Sequence, residues 1–178
     1  VGVKITEEDP ILTLNTNILG TKNVLEACKS NNVKKIILAS SSEVYGEPLK
    51  TPIEESDPAI PITSYGVSKI AAEEYVKAYS ISFGLKYTIL RFFNAYGPGQ
   101  SKDFVIPEFV NNASQNNPIL IHGSGSQVRS FCHIGDIARG VSSSIEKGDN
   151  ETINIGNANE PITISELAKK VVNITNSK

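Results

Sequence analysis

Two short runs decide most of what this chain can fold into. "KKIILAS" over residues 34 to 40 and "LKYTILRFFN" over 85 to 94 are β-branched, strongly apolar and bounded by turn-forming residues. A strand with one wet face alternates apolar and polar side chains, whereas a continuously apolar strand is covered on both faces, as in a parallel sheet. Between the runs lie a polar, proline-rich stretch to about Thr63 and a helical pattern carrying Tyr65 and Lys69. That connection is far longer than a hairpin and suits a crossover. Ahead of the first run, Asp9-Pro10 reads as an N-cap followed by proline at the first helical position. Leu14, Ile18, Thr21, Leu25 and Cys28 then recur at helical spacing to about Ser30. Helix, strand, helix, strand in this order predicts an α/β fold with a parallel sheet.

Past Gly99 the pattern loosens. Val105, Ile106, Phe109, Val110 and Ala113 predict a short helix, and "PILIHG" at 118 to 123 a short strand. Ile134, Ile137, Ala138, Val141 and Ile145 mark another helix, and "TINIG" at 152 to 156 another strand. Thr163-Ile-Ser-Glu166 is a capping box opening a last helix through Val172. The expected division is 1–99 for the sheet and 100–178 for a smaller lobe.

Composition narrows the function classes. Hydrophobic residues make up 39% and charged residues 20% of 178, as in a globular chain able to bury a core. A net charge of −2 gives no electrostatic reason to expect nucleic acid. No apolar run approaches the roughly 20 residues of a membrane span. With only Cys28 and Cys132, neither a disulfide framework nor a cysteine zinc site is available, and both read as reduced core residues. His122 and His133 have no partner at metal-binding spacing, so no metal is expected. The glycines of "HGSGSQ" lack the dinucleotide-binding register and read as a turn. The chain opens on Val and contains no Met, and we read it as a fragment, expected in the cytoplasm.

Tyr65 and Lys69 are four residues apart, so on a helix they point into one space. A free tyrosine, with a pKa near 10, is a poor base, and bringing it to neutrality takes roughly 4 kcal/mol. A positive charge about 4 Å away supplies a similar amount at an effective dielectric near 20. The lysine ammonium is such a charge, and an oxidised nicotinamide ring would be a second. The pair alone is a weak signal, since this spacing arises often by chance. A third member lies upstream: "ASSSEVYG" at 39 to 46 begins where the first strand ends, the edge at which open parallel sheets hold ligands.

Taken together, "TNILGT" (16 to 21), "SSSEVYGEP", "SYGVSK", "RFFNAYGPGQ" (91 to 100), "GSGSQVRSFCHIGDIA" (123 to 138) and "INIGN" (153 to 157) resemble the extended short-chain dehydrogenase/reductases, in particular the nucleotide-sugar epimerases and dehydratases. The resemblance covers essentially the whole chain. It implies part of a Rossmann-type sheet that binds NAD, plus part of a smaller C-terminal substrate lobe. By it, Ser41, Tyr65 and Lys69 are catalytic, with Ser42 the alternative serine. Tyr65, Lys69, Phe93 and Thr16 are cofactor-binding, though Phe93 also reads as a strand-end core aromatic and Thr16 as a helix-surface threonine. Ser41, Ser42, Glu43, Asn94 and Arg129 are substrate-binding, the last two on the diphosphate. The relatives commonly form homodimers through helices flanking the tyrosine helix.

In those relatives the tyrosine removes the sugar 4-hydroxyl proton while hydride passes to NAD, leaving a 4-keto sugar. The 4,6-dehydratases place an Asp-Glu pair after the catalytic Ser or Thr; here Ser42-Glu43 stands there, so the acid that eliminates water is missing. UDP-glucuronate decarboxylases use a similar Ser-Glu pair, and "RSFC" is similar to theirs. "SYGVSKIAAEEY" resembles the 4-epimerases more. The expected function is therefore an NAD-dependent UDP-sugar 4-epimerase, with decarboxylase or dehydratase as alternatives. A non-catalytic dinucleotide-binding relative is disfavoured by the retention of Ser41, Tyr65 and Lys69. "VGV" at the start resembles the loop after the fourth strand of the parent sheet. The glycine-rich pyrophosphate turn is thus expected to lie outside this chain, and the isolated 178 residues to show no turnover.

Overall fold

The computed structural model describes residues 3–177. In chain order its elements are helices α1 (Val3–Glu8) and α2 (Pro10–Ser30), strand β1 (Lys35–Ser41), a 3-10 turn (Ser42–Tyr45), helix α3 (Ser64–Phe83), strands β2 (Lys86–Phe92) and β3 (Ala95–Tyr96), helix α4 (Val105–Ser114), strands β4 (Val128–Ser130) and β5 (Cys132–His133), helix α5 (Ile134–Glu146), strands β6 (Glu151–Ile155) and β7 (Pro161–Thr163), and helix α6 (Ile164–Thr175). Of the opening "VGV", read as a loop, residues 1 and 2 lie outside the described residues, and α1 starts at Val3.

The chain divides into two compact units. One comprises the residues up to Phe93 together with Asp136–Ile155; the other comprises Asn94–Gly135 and the residues from Gly156 on. This differs from a single break after residue 99, because most of α5 and all of β6 return to the first unit. The return has a simple cause: β6 supplies the third strand of the sheet.

In the first unit β1, β2 and β6 lie side by side, all parallel. Lys35 pairs with Lys86 and Ser41 with Phe92, so β1 and β2 end level with each other. Helix α2 begins as its sequence demands, with the Asp9 side chain accepting from Leu12 N–H at 2.9 Å and Pro10 in the first turn. Leu25 of α2, Val76 and Tyr79 of α3, and Ile89 of β2 form the buried core, with Leu85. Ile36 and Leu38 of β1 pack against them. Alternation puts Lys35 on the opposite face of β1, where its ammonium donates to the Ser144 carbonyl of α5 at 2.6 Å. Helix α3 stops at Gly84, whose φ of 70° is left-handed and easily adopted by glycine.

The second unit has its own core of Phe109 and Ala113 from α4 with Leu167, Ala168 and Val171 from α6. The capping box forms as read: Glu166 N–H donates to Thr163 Oγ1 at 3.1 Å, and Thr163 N–H to Glu166 Oε2 at 2.9 Å. The expected strand at 118–123 does not form. Its Leu120 is 64% exposed, and the strand pairing falls later, with β4 antiparallel to β7. "HGSGSQ" is a turn, with Gly123 and Gly125 both at positive φ. Two-residue β3 and β5, which carry too little pattern to be read, pair in parallel. Among the described residues no helix is long and apolar enough to cross a membrane, and no group of three or more His, Cys, Asp or Glu could hold a metal ion.

Candidate active site

Helix α3 is capped by Thr63, whose hydroxyl oxygen accepts from Gly66 N–H at 3.0 Å. This places Tyr65 in the first turn. A Cβ on Gly66 would stand 2.6 Å from the Glu43 carbonyl oxygen and 2.9 Å from Pro61 Cβ. Glycine at this place in "SYGVSK" therefore lets the helix press directly against the backbone of the 3-10 turn. Ser41, at the last position of β1, caps that turn by accepting from Glu43 N–H at 3.2 Å.

The predicted trio comes together. Lys69 Nζ lies 5.5 Å from the centre of the Tyr65 ring and donates to the Ala39 carbonyl of β1 at 2.9 Å. Ser41 closes β1 beside the 3-10 turn, whose Glu43 carbonyl packs against Gly66, next to Tyr65 on α3. All three residues are half-buried at the carboxyl end of the parallel strands. The electrostatics differ from the sequence argument in one respect. Burial is the largest influence on Tyr65 and pushes its phenol up, the Ser41 hydroxyl pulls it down, and the charge of Glu43 pushes it up again. Burial also pulls the Lys69 ammonium down. The lysine is turned onto a carbonyl, and with both groups partly desolvated it does not by itself make the tyrosine acidic.

Ser42 is half-buried in the 3-10 turn and Glu43 is exposed beside it. Phe93 follows β2, its amide donating to the Ile155 carbonyl at 2.9 Å and its ring centre 6.2 Å from that of Tyr45. Thr16 is exposed on α2. Its neighbour Asn17 makes the link to the tyrosine turn, donating to Ser68 Oγ at 2.8 Å while Ser68 donates to the Tyr65 carbonyl at 2.7 Å. Asn94 and Arg129 belong to the second unit. There Asn94 Nδ2 donates to the Ser130 carbonyl at 3.1 Å, and the exposed Arg129, on β4, donates to the Val128 carbonyl at 2.9 Å.

Reading the sequence missed the layer beneath the trio. Glu73, Arg91, Ser40 and Tyr45 are all buried and joined to one another. Two of them carry a signal: Glu73 continues the four-residue spacing of Tyr65 and Lys69, and Arg91 interrupts the apolar run from Ile89 to Phe93. A cationic ammonium and two hydroxyls gathered at a strand edge form a donor set that fits the ribose and nicotinamide end of a dinucleotide.

The model of the NAD dependent epimerase/dehydratase family matches residues 1–156. The UDP-glucuronate 4-epimerase of Thermodesulfobacterium geofontis is 36% identical over 166 residues, covering 93% of this chain and 51% of the relative. The UDP-N-acetyl-alpha-D-glucosaminuronate decarboxylase of Bacillus cytotoxicus is 37% identical over 187 residues, covering 99% of this chain and 57% of the relative. The crystal structure of UDP-glucose 4-epimerase from Thermotoga maritima with UDP-glucose superposes on all of this chain and 59% of its own, with a TM-score of 0.95 at 34% identity. The chain thus spans somewhat over half the length of these relatives. With its sheet, its tyrosine helix and this match in agreement, the chain belongs to the NAD-dependent epimerase/dehydratase family.

Proposed function

We propose that this chain is the catalytic portion of a nucleotide-sugar 4-epimerase, with a uridine diphosphate sugar as substrate. In this reading the unit formed by the residues up to Phe93 with Asp136–Ile155 is the later part of the NAD-binding domain, and the unit formed by Asn94–Gly135 with the residues from Gly156 on is part of the substrate lobe. The observation that carries it is Lys69 over the Tyr65 ring, on the helix that packs against the turn following Ser41, at the carboxyl end of a parallel strand pair.

When bound, NAD supplies the acceptance and return of hydride that make a 4-hydroxyl into a 4-keto group and back. Tyr65 takes the 4-hydroxyl proton onto its phenolic oxygen and later gives it back. Ser41, whose hydroxyl pulls the pKa of that phenol down, shares the proton with the sugar oxygen. Lys69 holds a donor toward the ribose and supplies positive charge that stabilises the phenolate which takes the proton. Phe93 and Thr16 are read as cofactor contacts, and Asn94 and Arg129 as contacts to the diphosphate, where an arginine suits charge-assisted bonding. Ser42-Glu43 supports epimerisation over dehydration, since an Asp is missing from the first position. Decarboxylation is the second reading, favoured by the same Glu43, whose charge is felt at Tyr65. A homodimer through helices flanking the tyrosine helix is supported by the outward apolar residues of α2, among them Leu12, Leu19 and Val24, each more than half exposed.

The test is turnover by the full polypeptide in which this chain occurs, against a panel of nucleotide sugars with products read by NMR. An epimer is the expected product, and release of carbon dioxide would replace this reading with the second. Tyr65→Phe is expected to lower the rate by about 10² to 10⁴. An unchanged rate would remove Tyr65 from the role of base.

A further inference from the structure

The face of α3 that carries Tyr65 and Lys69 carries a third polar side chain one turn on. Glu73 has no solvent exposure at all, and its carboxylate takes three donors. Ser40 Oγ reaches Oε1 at 2.5 Å, Arg91 Nε reaches the same oxygen at 3.0 Å, and Arg91 Nη2 reaches Oε2 at 2.7 Å. The remaining arm, Nη1, donates to the Tyr45 hydroxyl at 2.8 Å, and that hydroxyl donates to Asn154 Oδ1 at 2.7 Å. One buried network thereby joins α3, β1, β2, the 3-10 turn and β6.

Stability alone accounts poorly for such a device. Taking a carboxylate and a guanidinium out of water offsets much of what their pairing returns, and apolar residues of similar volume often hold a core equally well. Apolar packing lacks direction, whereas a carboxylate with three donors and a guanidinium held on both arms fix the height of a helix over its sheet. Each member also adjoins a residue of the site. Ser40 precedes Ser41, Tyr45 closes the turn that holds Ser42 and Glu43, and Arg91 stands two residues before Phe93.

We propose that Glu73, Arg91, Ser40 and Tyr45 are positioning residues that lock the end of β1 and the 3-10 turn against α3, so that the Ser41 hydroxyl meets the Tyr65 phenol. The inference rests on the reading of Tyr65 as the base and extends it to what sets that base in place. Released from the lock, Ser41 loses its alignment, and Tyr65 keeps only burial and Glu43 as influences, both of which push it up.

Ser40→Ala and Tyr45→Phe test this in the full polypeptide, each removing one hydroxyl and little volume. Ser40→Ala leaves every Glu73–Arg91 bond in place. The first readout is the titration of the Tyr65 phenol by NMR of ring-labelled tyrosine, assigned with Tyr65→Phe. It is expected to move to higher pH in both variants, because the Ser41 influence that pulls it down is weakened. The second readout is kinetic: kcat is expected to fall about tenfold with KM changed by less than about twofold. A lowered melting temperature with wild-type titration and wild-type kcat would overturn the proposal and leave the network a matter of packing. Full activity of Tyr65→Phe would instead overturn the reading of the base, and the NMR titration would still decide whether the network aligns Ser41.

Discussion

Tyr65 is the residue on which the chemistry turns, and its surroundings pull it in opposite directions. Burial and the Glu43 carboxylate favour the neutral phenol, while the Ser41 hydroxyl favours the phenolate. A base must be deprotonated, so the rate rises with pH through the pKa of this group. Removing the charge of Glu43 removes an influence that raises that pKa. Glu43→Gln is therefore expected to move the rising limb of the pH dependence of kcat to lower pH. An unmoved limb, or one moved upward, would contradict the placement of Glu43 beside the phenol. At this scale the sequence is legible where spacing carries the information: residues 65 and 69 must share a helix face, and they do. It is silent on desolvation, which depends on what the rest of the chain stacks over the ring. For the same reason Ser40 escaped notice, since a buried serine declares itself only once its partner is known.

Among the elements, α3 does the most to assemble the site, and Gly66 governs how near it comes. An alanine there would press its methyl group into the backbone carbonyl of Glu43 and the ring of Pro61, neither of which is the movable end of a side chain. Gly66→Ala is expected to lower stability by about 1–3 kcal/mol, measured by denaturant unfolding, and to lower activity as the 3-10 turn is displaced. Wild-type stability would mean that the turn yields freely. Elements with local chemical signatures were legible, including the Asp9-Pro10 start of α2 and the Thr163-Glu166 box of α6. Residues 118–123 show the limit of such reading. Their apolar composition resembles a strand, yet a strand exists only where a neighbour takes up its amides, and the pairing in this unit forms at Val128–Ser130 with β7 instead.

For the molecule as a whole, the parallel sheet was legible from two apolar runs, whereas the division of the chain was not, because no local pattern reports that β6 returns to lie beside β2. One ion cluster helps fasten the sheet at the amino ends of its strands: Asp149 is bridged by Lys35 of β1 and Lys86 of β2, each at 2.7 Å. These two lysines hold the Asp149 carboxyl below the usual aspartate range. A depressed folded pKa contributes stability above the unfolded value and loses it as pH falls through the folded one. Asp149→Asn is therefore expected to melt at lower temperature than wild type at neutral pH, with the gap closing on acidification below the ordinary aspartate range. A gap that persisted in acid would show that the charges are not its source. The late return of β6 also bears on how the protein is made. Tyr87 donates its amide to Asn150, 63 positions further along the chain, so β1 and β2 exist in a nascent polypeptide while everything between β2 and β6 is still being synthesised. Until then the edge of β2 that β6 will cover lacks its partner, and an unpaired strand edge is prone to aggregation.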